Sequence, residues 1–391
     1  MLTQRAAVGW RRGAGPTRVL FAVPGHTCGA CTLLLRVGLA LHGVVACGPH
    51  HDASGPAPDL QSELVDLYLD EGIEPCAGQL DAYDRFIARA FDLYGQEAPP
   101  SELRVPVRVF REPPCPEGAL SCVRNGQVRL GGDLGQYHEL VHIVQGYLDG
   151  GSIASLQEGT AEGMAPRIPL AYSTDSLAIL DPDTQMLFAT SAFDVDYVAA
   201  GIFTRFLIER HGIDAFREFF RTMGLREQPG EIDYRREFEG TFGETLDEAW
   251  PVFLSEPRCS YDLWYCDQGT PIELPFVLDG IDCSDPDVIG YDGPARGLDP
   301  PNLPYMPMKI FHLHNDQPRT LTFELAYVNM YIGGCGDCSE QLVYPPHPSP
   351  LAGSSGAIDP PFDLDFQAGT IVLAVRQSPL GPMHVAISEA D

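Results

Sequence analysis

The sequence predicts an α+β protein: a mostly helical domain with a small β-sheet, followed by an all-β, sandwich-like module. Three observations lead there. At 391 residues with 44% apolar content, the chain is long enough for two domains, each with its own core. Apolar residues recur at helical spacing in several segments up to about residue 257. From about residue 258 Pro and Gly become dense, that periodicity stops, and short β-like runs replace it.

The elements follow in order. A helical pattern runs from about 60 to 94, broken near Gly72 to Pro75. Its second half places Leu80, Tyr83, Phe86, Ile87, Ala90 and Phe91 on one face. Residues 104–110, "RVPVRVF", alternate with period two and read as a strand. "CVRNGQVRL" is a hairpin signal, because Asn125-Gly126 suits a tight turn between two alternating arms. A helix carrying two histidines comes next. "YVAAGIFTRFLIERHG" and "IDAFREFFRTMG" are amphipathic helices ending at Gly212 and Gly224, and "ETLDEAWPVFL" is a further helix. Beyond 258 the β-like runs are "KIFHLH", "LTFELAYVNMYI", "GTIVLAV" and "MHVAIS".

The N-terminal residues have a different character. Five of the 25 basic residues precede the first acidic one, Asp52, so the other 20 face all 54 acidic residues. So acidic a surface repels nucleic acid and anionic headgroups, and excludes a polyanion-binding role. The acid-free start leads into the apolar run Val37 to Cys47, which is too short to span a bilayer. Its ending, Val44-Val45-Ala46-Cys47, resembles a bacterial lipobox, which implies lipidation at Cys47 and a membrane tether there. Plain secretion and an ordinary buried helix are the other readings of the same run. The expected layout is a leader at 1–47, a flexible tether at 48–59, the helical domain at 60–257 and the β-rich module at 258–391.

Cysteine usage agrees with export. Setting aside Cys28, Cys31 and Cys47 leaves Cys76, Cys115, Cys122, Cys259, Cys266, Cys283, Cys335 and Cys338. Eight is an even number, as paired disulfides in an oxidising compartment require. Cys335 and Cys338 have zinc-knuckle spacing, but the mature chain holds no second such pair. The aspartates from Asp279 to Asp292 read as turn formers, with calcium binding as the alternative.

The chemistry sits in "YHELVHIVQGYLDGGSIASLQEGTAEGM", residues 137–164. His138-Glu139-Leu140-Val141-His142 matches H-E-x-x-H. Residues four apart share a helix face, so both imidazoles can reach one Zn2+ ion, with Glu139 beside them as general base. Gln145 and Leu148 stand where the metzincin pattern needs Gly and His, which excludes that class.

With Ser155-Leu156-Gln157-Glu158-Gly159-Thr160-Ala161-Glu162 downstream, the chain resembles the gluzincins of the peptidase MA-like group, whose H-E-x-x-H helix is followed by an E-G-x-A-E segment. The likeness covers about 120 residues, reaching "YVAAGIFTRFLIERHG" and "FGETLDEAW", and lacks the aromatic residue that opens the segment in aminopeptidases. It implies a zincin-like fold, with Glu158 as third zinc ligand and Glu162 supporting a ligand histidine from behind. Glu162 is the alternative ligand, since it lies 20 positions after His142, the interval of thermolysin-like enzymes. Ser155-x-x-Glu158 is also a capping box that would merely start a helix. By the same resemblance Tyr197 is the candidate oxyanion donor, although its Y-x-x-x-G context is one residue too long.

The expectation is an exported, monomeric zinc metallopeptidase acting on a peptide or protein substrate, in the cell envelope as a lipoprotein or secreted. The alternative is a non-catalytic surface lipoprotein that uses the same fold for binding or structure.

Overall fold

A computed structural model describes residues 56–112, 114–115, 121–131, 136–165, 183–226, 229–255, 269–292, 307–326, 328–335, 361–366, 368–377 and 382–390. The expected leader with Cys47, the boundary near 258, Cys259, Cys266, Cys338 and the side chain of Cys335 lie outside these residues.

The chain is α+β, as its sequence predicts. The first sheet holds β1 (Leu60–Gln61), β2 (Val65–Leu69), β4 (Val105–Val109), β5 (Ser121–Arg124) and β6 (Gln127–Leu130) in the order β1-β2-β4-β6-β5. β2, β4 and β6 run parallel, while β5 turns back antiparallel on β6 and forms an edge. The β5–β6 turn takes the predicted form: Asn125 and Gly126 both have positive φ, 53° and 71°.

The helix expected to begin near residue 60 starts only at Gln79. The residues before Gly72 form strands, not a helix. "VDLYL" is five residues with Val65 and Leu67 fully buried, a period of two that a short segment can satisfy only by pairing, and β4 offers the partner. Helix α1 (Gln79–Leu93) then covers the sheet with Tyr83, Phe86, Ile87, Ala90 and Phe91, the face its spacing indicates.

Helices α2 (Gln136–Leu148) and α3 (Ala154–Met164) carry the motif. Two 3-10 turns, Thr184–Phe188 and Ala192–Asp194, lead to α4 (Tyr197–His211). Then come α5 (Ile213–Gly224), α6 (Glu231–Phe242) and α7 (Leu246–Ser255). These last helices pack around a cluster rich in aromatics, with Phe203, Phe206, Phe216, Phe219, Phe220, Tyr234, Phe238 and Phe253 buried. The sequence reading did not single out α6. It buries only Tyr234 and Phe238 along a charged helix, so its periodic signal is thin.

The C-terminal strands form two sheets facing one apolar core. One contains β7 (Thr270–Pro271), β9 (Val288–Ile289), β11 (Met308–Asn315), β13 (Val328–Cys335) and β15 (Gly369–Gln377). The other contains β8 (Phe276–Leu278), β12 (Arg319–Ala326), β14 (Phe362–Phe366) and β16 (His384–Glu389). The single run expected at 321–332 is two strands, β12 and β13, one in each sheet.

β15 explains how this module meets the rest. Ile371, Leu373 and Val375 face the sandwich core, while Val372 and Ala374 join the core of the first sheet. A strand buried on both faces reads as an unbroken apolar run, which is what "TIVLAV" is. Two further ties reinforce the joint. β3 (Glu74–Pro75) pairs with β10 (Tyr291–Asp292), and Cys76 is disulfide-bonded to Cys283 across 207 residues. Cys283 lies in the aspartate-rich loop. There Asp282 accepts from the backbone and hydroxyl of Ser284, and Asp285 from the backbone of Asp287, so these two close turns.

Candidate metal centre

Helix spacing puts His138 and His142 on one face of α2, with ring centroids 4.9 Å apart. The first turns of α3 bring Glu158 to both. Its Oε2 lies 3.1 Å from His138 Nε2 and 3.3 Å from His142 Nε2. Ligand atoms of the three residues all fall within 4.8 Å of one another, a geometry that could bind a metal ion. His138 is fully buried, whereas His142 and Glu158 keep some access to solvent.

The far nitrogens decide what the near ones are. Glu162 Oε2 stands 3.2 Å from His138 Nδ1, and a carboxylate oxygen at that distance favours the tautomer in which that nitrogen carries the proton. Gln145 Oε1 lies 3.0 Å from His142 Nδ1. The amide of Gln145 is oriented because its Nε2 donates to the Gln157 carbonyl at 3.2 Å. His142 Nδ1 is therefore a donor as well. In the neutral imidazoles both Nε2 atoms are then lone pairs, facing a carboxylate oxygen. Three acceptors without a cation repel one another, and this donor set fits a divalent metal. Burial by itself would raise the Glu158 carboxyl. In the metal-free, protonated form, where each Nε2 also carries a proton, hydrogen bonds and charge from His138 and His142 outweigh it and hold the group well below the usual carboxylate range.

Glu139, one residue after His138, is buried and receives a hydrogen bond of 2.9 Å from Ser121 Oγ on β5. Tyr197 opens α4, its ring 5.9 Å from that of His138. The structure thus gathers His138, Glu139, His142, Glu158, Glu162 and Tyr197 into one place. Cys47 lies outside the described residues. The capping-box alternative is not realised. The N-cap of α3 is Ile153, and the Ser155 hydroxyl instead donates to the Leu187 carbonyl at 2.6 Å.

Two supports set the position of α3. The first is the connection from α2. Asp149 is buried and receives three hydrogen bonds from Arg217 on α5, while Ser152 Oγ donates to the Phe220 carbonyl at 2.8 Å. Gly224 packs so tightly on this loop that a Cβ would lie 1.9 Å from the Gly151 carbonyl oxygen. The second is α4, against which Gly159 and Gly163 lie without side chains: a Cβ on Gly159 would meet the Ala200 carbonyl oxygen at 2.8 Å. The glycine after each glutamate in "EGTAEG" is what lets the two helices approach.

Sequence reasoning missed Gln145, Ser121 and these packing glycines. For Gln145 a signal existed, since it lies three residues after His142 and so on nearly the same face. Ser121 had none, because its partnership with Glu139 spans 18 residues and two kinds of element.

No protein-family model matches the chain, and no curated protein does. Among solved structures, the pre-peptidase C-terminal domain of a collagenase from Bacillus anthracis aligns at 8% identity, over 32% of this chain and 95% of that domain, with a TM-score of 0.18. A score that low does not define a common fold. What the described residues provide is an α+β fold with a His/Glu group able to take a metal ion, and among them two disulfides, Cys76–Cys283 and Cys115–Cys122, of a kind at home in oxidising compartments. Among the described residues no helix is long and apolar enough to cross a membrane.

Proposed function

We propose that the chain is an exported zinc metallopeptidase in which His138, His142 and Glu158 hold the ion and Glu139 is the general base for peptide-bond hydrolysis. The observation that carries the reading is the convergence of two imidazole Nε2 atoms and one carboxylate oxygen beside a buried glutamate. Bound zinc supplies Lewis acidity toward a scissile carbonyl and toward water. The remaining work falls to the protein. Glu139 accepts the proton of the attacking water and delivers it to the leaving amine. Glu162 and Gln145 keep the two rings in the tautomer that presents Nε2. Tyr197, whose ring lies 5.9 Å from that of His138, would donate to the developing oxyanion. β5, the last strand of its sheet among the described residues, would offer backbone hydrogen bonds to an extended peptide next to Glu139. Export is supported by the acid-free start, the Cys47 context and the disulfides.

The test is metal analysis together with cleavage of a mixed peptide library by the native chain and by Glu139→Gln. Stoichiometric zinc in both, with cleavage by the native chain alone, supports the assignment. Zinc without cleavage by either would assign the site to binding or structure, and a chain that takes up no zinc would end the proposal.

A further inference from the structure

On the reading of Glu139 as the base, we propose that Ser121 is its positioning residue: the hydroxyl clamps one carboxylate oxygen and leaves the other to meet the attacking water. Ser121 Oγ lies 2.9 Å from Glu139 Oε1, and among the described residues it is the only hydrogen-bond partner of that carboxylate. A carboxylate oxygen only accepts, so the serine is the donor. A glutamate on a helix has three rotatable bonds, and a base works only when an oxygen is held within hydrogen-bond reach of the proton it takes.

Ser121 is well suited to provide that restraint, because three features fix its own position. Its residue pairs with the buried Leu130 in the ladder between β5 and β6. The Asn125-Gly126 turn sets the register of that ladder. The next residue, Cys122, is tied by a disulfide to Cys115, seven residues back. The clamp therefore comes from the sheet and not from the helix that bears the base. As β5 is an edge, one strand holds Glu139 and borders the space where a substrate would lie.

The test compares the native chain with Ser121→Ala, Ser121→Thr and Ser121→Val. The last two have nearly the same shape and differ in the hydroxyl, so their comparison stands even if Ser121→Ala folds poorly. With a peptide selected from the library, kcat should fall about tenfold in Ser121→Ala and Ser121→Val, the scale of one lost charge-assisted hydrogen bond at a reacting group. KM should change less than about twofold and zinc affinity, measured by chelator competition, should hold, because neither depends on Glu139 orientation. Ser121→Thr should recover most of kcat. Independently of turnover, the side-chain carboxyl 13C resonance of Glu139, assigned by its loss in Glu139→Gln, should move in Ser121→Val and return in Ser121→Thr. Equal kcat in Ser121→Val and Ser121→Thr overturns the inference while leaving the hydrolase reading intact. So does a loss of kcat that follows loss of zinc or of the folded state. A native chain that binds zinc but cleaves nothing removes the hydrolase reading, and the role of Ser121 with it.

Discussion

Gly159 of α3 and Ala200 of α4 meet backbone to backbone: a Cβ on Gly159 would stand 2.8 Å from the Ala200 carbonyl oxygen and 2.7 Å from the Thr204 hydroxyl. That contact sets how far Glu158, the preceding residue, reaches toward α2. Gly159→Ala should therefore destabilise the protein by about 1–3 kcal/mol through overpacking, despite alanine's better helix propensity. It should also weaken zinc binding, because α3 must retreat. Gly240→Ala on α6 is the control. A Cβ there meets nothing within 4 Å, so the same substitution should stabilise by about 0.5–1 kcal/mol. Thermal unfolding and chelator competition on both variants read the contrast, and equal responses would count against the packing account.

Much of this arrangement was legible in the sequence because it is local. The Asn125-Gly126 turn, the face of α1, the ends of α4 and α5, and the pairing of His138 with His142 on one face each depend on residues within one or two turns. What the sequence hid is tertiary. The strand "VDLYL" competes with a helical reading until β4 is known to lie beside it. The break between β12 and β13 appears only when each finds a different sheet. Glu162 was readable as a support for a histidine only through a family likeness. Ser121, which holds Glu139, was not readable at all.

The loop joining the two site helices depends on the buried carboxylate of Asp149, which has Arg217 at 2.9 Å and Arg221 at 3.8 Å. Asp149 is 1% exposed and takes its charge partner from Arg217, which also donates to the Tyr94 carbonyl at 2.9 Å. Arg217→Met would preserve much of the packing volume and remove every hydrogen bond that Arg217 gives the carboxylate, leaving the half-exposed Arg221, 3.8 Å away, as its cation. The expected cost is about 3–5 kcal/mol, the usual penalty for breaking one side of a buried pair. Denaturant unfolding measures it. The double variant Arg217→Met/Asp149→Asn should recover a large part of the loss, and failure to do so would place the role of Arg217 elsewhere.

The Cys76–Cys283 bridge closes a long loop that includes the whole metal centre. Gln136, two residues before His138, accepts from Tyr83, which shares a 2.6 Å bond with Tyr291 near that bridge. Replacing both cysteines with serine should cost about 2–5 kcal/mol, as for loss of a native disulfide, and should lower the unfolding midpoint. Zinc at saturating concentration should restore part of the midpoint, since a ligand that binds only the folded chain stabilises it by mass action. A zinc-insensitive midpoint in this variant would mean that the centre no longer forms when the bridge is gone.

The two glutamates of α3 address opposite nitrogens of one ring, and this makes their roles separable. Glu158 reaches Nε2 of His138 and of His142, whereas Glu162 reaches Nδ1 of His138. Glu158→Ala removes a donor from the converging set, leaving two imidazoles, and zinc should no longer bind at micromolar concentration, a scale set by ordinary zinc-site affinities of about 10–16 kcal/mol. Glu162→Ala leaves all three donors in place but releases the ring of His138, so zinc affinity should fall by about 10–100-fold without vanishing. Glu162→Gln keeps an oxygen that can accept from Nδ1 and should lie between that variant and the native chain. Isothermal titration with zinc ranks the three. If Glu162→Ala abolishes binding while Glu158→Ala only weakens it, the third ligand is Glu162 and α3 must turn to present it.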